Sequence, residues 1–287
     1  MTKNYFKYAQ DVIDGKVVCC EYVKLAAERF FSLMEDDKYE FREEKVDVVI
    51  NFIKILRHYT GRHAGKPFTL QPWQEFIVAS IYGFYVKEDG SRLVQSVYIE
   101  MARKQGKSAL AAALSLYHLI ADGEMNAEVY LAANSKDQAK ISFGMCSKFV
   151  KGIDPNGKYL EAYRDSINYD KTLSILRVLA ADDSKLDGFN ASMYLLDEYH
   201  AAKNSRLKDV LQSSQGMREN PLAIIITTAG FDKLGPCYQY REMCTEILKG
   251  LKEDDTIFAV IYTLPTLTAF TTPFEETVAI LLSDDDH

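Results

Sequence analysis

The chain has 287 residues, 47% of them hydrophobic and 26% charged, with a formal net charge of -7. That composition supports a packed core and excludes wholesale disorder, and the acidic sum excludes a protein that coats nucleic acid through bulk charge, leaving room only for a local basic groove. Cys19, Cys20, Cys146, Cys237 and Cys244 form no C-x-x-C pair and have no His-rich partner segment of the kind that binds zinc, so free thiols in a reducing compartment are expected.

The N-terminus, MTKNYFKYAQDVIDGK, lacks the apolar stretch of a signal peptide, and runs such as IVASIYGFYV fall short of the ~18 residues a membrane span needs. A soluble intracellular protein is the expectation. In CCEYVKLAAERFFSLMED, Tyr22, Leu25, Ala26, Arg29, Phe30 and Leu33 recur at helical spacing, which predicts a helical N-terminal region over residues 1–66. Gly61, Gly65 and Pro67 then break the pattern, and Pro72 suits the first turn of a helix running through Phe84.

From there, short β-rich runs alternate with helical patterns. Strands are predicted at VQSVYIE from Val94, EVYLAA from Glu128, LSILRVL from Leu173, SMYLLD from Ser192, LAIIITT from Leu222 and TIFAVIYTL from Thr256. Helices are predicted over Lys107 to Ile120, Ser135 to Val150, Arg206 to Met217 and about Cys237 to Leu248, the second opened by a Ser135/Gln138 capping box. Continuous apolar strands separated by helices imply an α/β fold with a mostly parallel sheet flanked by helices.

Three strand ends carry chemistry. YIEMARKQGKSAL ends like a phosphate-binding loop but has Met101 where G-x-x-x-x-G-K-[ST] wants glycine. The parts are present nonetheless: Gly106 allows close backbone approach, Lys107 brings a positive charge, Ser108 offers a hydroxyl to Mg²⁺, and a helix N-terminus lies behind them. G-K-[ST] alone recurs by chance. MYLLDEYH strengthens the reading, because an apolar strand ending in Asp197 and Glu198 can hold Mg²⁺ through the first carboxylate and polarise an attacking water through the second. In LAIIITTAG, the residues Thr227, Thr228, Ala229 and Gly230 could sense a γ-phosphate, although Thr and Gly at a strand end also serve as ordinary turn residues.

The ordered set FTLQPWQEFI, MARKQGKSAL, YLAANSKDQAKISF, KLDGFNASMYLLDEYHAAKN and IIITTAGFD resembles the ATPase domain of tailed-phage terminase large subunits, the DNA-packaging motors, over roughly residues 67 to 264. Members of that family often replace the early loop glycine and carry a basic residue there. The resemblance implies a P-loop NTPase that uses ATP and Mg²⁺, with Gln74 on adenine and Arg103, Gly106, Lys107 and Ser108 on phosphates. It further implies Asp197 and Ser108 on the metal, Glu198 as catalytic carboxylate, Arg103 against γ-phosphate charge, and Thr227, Thr228, Ala229 and Gly230 as a coupling motif. The partners implied are double-stranded DNA, a small terminase subunit, a portal protein and sister copies in a ring, in the cytoplasm of a bacterial host and away from any membrane. Arg206 and Arg218 are candidates for an arginine that completes a neighbour's site. Trp73 reads as core.

Full-length members of that family continue into an RNase H-like nuclease, and this sequence is read as stopping before any such region. The expected division is a helical region at 1–66, the ATPase domain at 67–264 and an atypical tail at 265–287, so truncation, a split gene or a prophage remnant is expected, and no nuclease activity from this chain alone. The terminal Asp284, Asp285, Asp286 and His287 read as a solvated end, and Asp182–Asp183 as a loop near the ATP site. A helicase-like phosphate-loop ATPase and a non-enzymatic nucleotide-binding remnant would carry the same groups.

Overall fold

A computed structural model describes residues 3–59, 63–181, 188–230 and 232–263. Helices α1 (Asn4–Ile13), α2 (Glu21–Glu35), α3 (Glu43–Ile55) and α4 (Pro72–Tyr82) form the first third, together with β1 (Tyr39–Phe41) and β2 (Phe84–Val86), which pair antiparallel. Pro72 opens α4 as expected, and a capping box between Gln71 and Gln74 satisfies its first free amides. The helix ends at Tyr82, two residues short of the predicted Phe84. At Gly83 any Cβ would overlap the Phe41 ring, so the chain turns tightly there and Phe84 enters β2 opposite Phe41. Phe41, Phe76 and Phe84 all pack their rings on Phe30, at centroid distances of 5.2–5.5 Å.

The second part alternates strand and helix: β3 (Ser96–Glu100), α5 (Lys107–Ile120), β4 (Glu128–Ala133), α6 (Lys136–Ile153), β5 (Leu160–Ala162), β6 (Ser166–Tyr169), β7 (Ser174–Ala180), β8 (Met193–Asp197), α7 (Arg206–Ser213), β9 (Leu222–Thr227), α8 (Pro236–Leu248) and β10 (Ile257–Ile261). Ten described strands thus form a two-stranded and an eight-stranded sheet, the larger in the order β10-β3-β9-β8-β4-β7-β6-β5. The first six of these strands run parallel, and the outer β6 and β5 are joined on through antiparallel pairings. This is the mostly parallel α/β architecture read from the sequence. β8 and β9 are buried at every position, as a sheet covered on both faces requires. Ile99 of β3 and Ile224 and Ile226 of β9 face α5, while Tyr98 turns to the other face and meets Tyr240 of α8.

Two arginines, Arg92 buried and Arg29 partly buried, tie the layers together. Arg92, ahead of β3, stacks on Tyr82, pairs with Asp122 at 3.3 Å and donates to the Asn220 and Pro221 carbonyls. Arg29 of α2 donates to the Asp254 and Ile257 carbonyls beside β10, so the N-terminal helices and the sheet share one continuous core. Among the described residues no helix is long and apolar enough to cross a membrane. Asp182–Asp183 and everything from residue 264 on, including Asp284 to His287, lie outside the described residues.

Candidate active site

In a parallel sheet the C-terminal strand ends gather at one edge, where the following loops can form a ligand site. Here the register places Glu100 of β3 opposite Thr227 of β9, and Asp197 of β8 opposite Ile226, so the three chemistry-bearing ends meet at neighbouring strands. After Glu100 the loop turns through Lys104 (φ 64°) and Gly106 (φ 81°) into α5. These are the loop positions in the left-handed region. Met101 is not one of them: its φ is negative, its amide donates to the Thr227 carbonyl at 3.1 Å, and its side chain is buried with Ile99, Leu110, Leu114, Ile224 and Ile226. The missing glycine therefore stands where the backbone needs none and the core takes a large apolar side chain. Arg103, Lys104, Gln105 and Gly106 are exposed, and no side chain caps the first amides of α5, a 14-residue helix.

Gln74 is brought up to this loop from α4. Its side chain is buried, Oε1 accepts from the Gln71 amide at 2.9 Å, and Nε2 is the atom a Cβ on Gly106 would approach, at 3.6 Å. Trp73 packs edge-on against Tyr262, consistent with its reading as a core residue.

Lys107 is buried, with Nζ 2.8 Å from Glu198 Oε1. That contact is a close charge pair without hydrogen-bond alignment, so Nζ donates no hydrogen bond among the described residues. Asp197 is buried too. Its Oδ2 accepts from Ser142 of α6 at 2.6 Å, and its Oδ1 has no hydrogen-bond partner among the described residues. Burial raises the Asp197 pKa above the ordinary carboxylate range and the Glu198 charge adds to this, against the opposing Ser142 hydrogen bond and Lys107 charge. Glu198 has φ 53° and ψ 48°, a left-handed conformation that a non-glycine residue adopts only under constraint. Ser108 is partly exposed at the start of α5.

Thr227 ends β9 fully buried, Thr228 follows it buried, and Ala229 and Gly230 are exposed. Thr228 Oγ1 donates to Glu198 Oε2 at 3.4 Å, which joins the third strand end to the second. Two further residues, Ser142 and His200, join this cluster without being marked by the motifs. Nothing in the spacing of ISFGMC marks Ser142, whereas His200 stands two residues after Glu198 in DEYH and could have been weighed. Beyond Asp197 and Glu198 lies a cavity of about 360 Å³, whose lining includes Asn134, Lys203 and Arg206. Arg206 is exposed at this rim. Arg218 is committed elsewhere, paired with Glu124 at 2.7 Å and donating to the Asn126 and Asn190 carbonyls.

Residues 72–246, more than half of the chain, match the family model for the terminase large subunit, ATPase domain. The chain belongs to that family. The terminase large subunit of Enterobacteria phage HK97 is 27% identical over 180 residues, covering 58% of this chain and 33% of that protein. The large subunit of Lactococcus phage p2 is 22% identical over 238 residues, covering 79% of this chain and 43% of that one. The crystal structure of the HK97 large terminase superposes with a TM-score of 0.64 at 22% identity, covering 79% of this chain and 45% of that one. The terminase ATPase fold is therefore shared, while this chain spans less than half the length of these relatives.

Proposed function

We propose that this terminase-family chain binds ATP with Mg²⁺ at the ends of β3, β9 and β8 and hydrolyses it as the ATPase part of a motor that packages viral double-stranded DNA into a procapsid. The observation that carries the reading is the convergence of Lys107, Asp197 and Glu198 at one sheet edge, with Lys107 Nζ buried against the Glu198 carboxylate and Asp197 Oδ1 buried without a hydrogen-bond partner among the described residues. A buried carboxylate oxygen without a hydrogen bond is costly unless a ligand completes it, and a buried ammonium with one carboxylate partner has donors left for another anion. A divalent cation suits the first and a polyphosphate the second.

In this reading the uncapped N-terminus of α5 and Gly106 receive the phosphates, Lys107 adds its charge, and Arg103 offsets charge developing on the γ-phosphate. Gln74 Nε2 would meet adenine. Asp197 and Ser108 would hold Mg²⁺, which when bound offsets charge on the β- and γ-phosphate oxygens. Glu198 orients water and accepts its proton as the water oxygen attacks the γ-phosphorus and the bond to the ADP oxygen breaks. Without nucleotide, Glu198 is held by Lys107; phosphate oxygens competing for Lys107 would release it toward the water. Thr227 to Gly230 would then sense loss of the γ-phosphate.

Family membership supports DNA and packaging machinery as partners in general, and the wider assignments are proposed on that basis. They are double-stranded DNA as track, a small terminase subunit and a portal protein as partners, a homo-oligomeric ring, and the cytoplasm of a bacterial host. Residues 67–264 would be the working ATPase unit and 1–66 a helical brace packed on it. The experiment that tests the metal assignment is titration of ATPγS with and without Mg²⁺. Mg²⁺ should tighten binding to the wild type by about tenfold or more, ~1.4 kcal/mol, and Asp197→Asn should lose that gain. An undiminished Mg²⁺ effect in the variant would remove Asp197 from the role.

A further inference from the structure

His200 lies in the single 3-10 turn Tyr199–Ala201 that follows Glu198, and its ring meets three oxygens at once. Nδ1 is 3.1 Å from Thr227 Oγ1, 3.4 Å from Thr228 Oγ1 and 3.2 Å from Glu198 Oε2. Counting protons assigns the tautomer. The Thr227 hydroxyl gives its one hydrogen to the Thr228 carbonyl at 2.9 Å and already accepts from the His200 amide at 3.0 Å. The Thr228 hydroxyl gives its hydrogen to Glu198 Oε2. A carboxylate only accepts and the Thr227 hydrogen is already given, so a proton on Nδ1 satisfies both Glu198 Oε2 and Thr227 Oγ1, while in the longer Thr228 contact either atom can donate.

The base of the side chain is also packed against the chain end it contacts. A Cβ on Gly230 would lie 3.0 Å from His200 Cβ, so the backbone at the end of the 227–230 segment rests directly against the histidine. One side chain thus touches the strained acidic residue and the strand end beside it, through hydrogen bonds on one side and packing on the other.

We propose that His200 is a positioning residue for ATP hydrolysis: its Nδ1–H, with the Thr228 hydroxyl, holds the Glu198 carboxylate toward the tip of β9, so that any displacement of residues 227–230 redirects that carboxylate. Lys107 grips Oε1 of Glu198 from the phosphate-loop side, and His200 and Thr228 grip Oε2 from the β9 side. The carboxylate is therefore suspended between the nucleotide loop and the coupling segment. When phosphate draws Lys107 away, the His200 side alone sets its direction. The inference rests on the assignment of Glu198 as the base.

The test compares wild type, Glu198→Gln, His200→Asn, His200→Gln and His200→Leu for kcat and KM with ATP, and for the Kd of Mg²⁺–ATPγS. Asparagine places an N–H donor where Nδ1 stands, glutamine places its amide further out, and leucine keeps bulk without a donor. His200→Asn should hold kcat within about threefold of wild type, whereas His200→Gln and His200→Leu should lower it at least ~10-fold with Kd changed less than about threefold. If His200→Leu does not fold, the contrast between Asn and Gln decides alone. Equal kcat in all three His200 variants, whether high or low, while Glu198→Gln is inactive would overturn the positioning role and leave the base assignment standing. Full turnover in Glu198→Gln, or none in the wild type, would overturn the base assignment and this inference with it.

Discussion

Replacing Met101 by glycine would restore the sequence pattern of an ordinary phosphate-binding loop, and we expect it to destabilise the protein by about 2.5–6 kcal/mol. The Met101 side chain is 3% exposed and packs with Ile99, Leu110, Leu114, Ile224 and Ile226 under the loop. Truncating a buried methionine to alanine costs roughly 2–5 kcal/mol, and the greater freedom of glycine in the unfolded chain adds about 0.5–1 kcal/mol. No strain relief offsets this, because Met101 already has a negative φ. Urea unfolding followed by the fluorescence of Trp73, the single tryptophan, gives the stability difference, with Met101→Leu as a volume-conserving control that should lose less than ~1.5 kcal/mol. A Met101→Gly variant as stable as wild type would refute the argument that this position serves the core and not the phosphates.

Acidification should weaken the fold through His118, whose pKa is lowered to about 4, chiefly by burial. It sits neutral, with Nδ1 3.1 Å from Asp122 and Nε2 3.1 Å from the Tyr82 hydroxyl. Because the folded value is below the unfolded one of 6.5, this contribution is complete above pH 6.5 and is lost as pH falls toward 4, at up to ~1.4 kcal/mol per unit. His118→Asn should flatten that part of the urea-midpoint profile; an unchanged slope would contradict it. In the phosphate loop, Arg103→Ala should lower ATP turnover more than Lys104→Ala does, and indistinguishable effects would end the special role of Arg103. Lys104→Gly should keep turnover and gain up to ~1 kcal/mol of stability by relieving the left-handed backbone, which the same urea assay reads.

All six parallel strands were legible in the sequence because continuous apolar runs such as MYLLD and LAIIIT have few alternatives to a doubly covered sheet. The helices were legible from their spacing, although α6 runs on to Ile153 and α7 stops at Ser213, where side-chain pattern alone does not mark the end. The β1–β2 pair and the antiparallel β5 and β6 were not legible. Strands of three or four residues carry too little alternation, and their pairing is decided by contacts far along the chain, as Phe41 with Phe84 shows. The candidate site residues Lys107, Asp197 and Glu198 could be named from motif and strand position. What lay beyond the sequence was the strand order that puts β9 between β3 and β8, and with it the meeting of His200, Thr227, Thr228 and Glu198.

The central claim is that Lys107, Asp197 and Glu198 form one ATP-hydrolysing centre with Glu198 as its base. Glu198→Gln keeps the shape of the side chain and its left-handed backbone position while removing the proton acceptor. Single-turnover phosphate release at saturating ATP and Mg²⁺, with ATPγS affinity measured in parallel, tests the claim most directly. The account predicts a loss in rate on the order of 10²–10⁴ with nucleotide still bound; a Glu198→Gln chain that releases phosphate at the wild-type rate would contradict it.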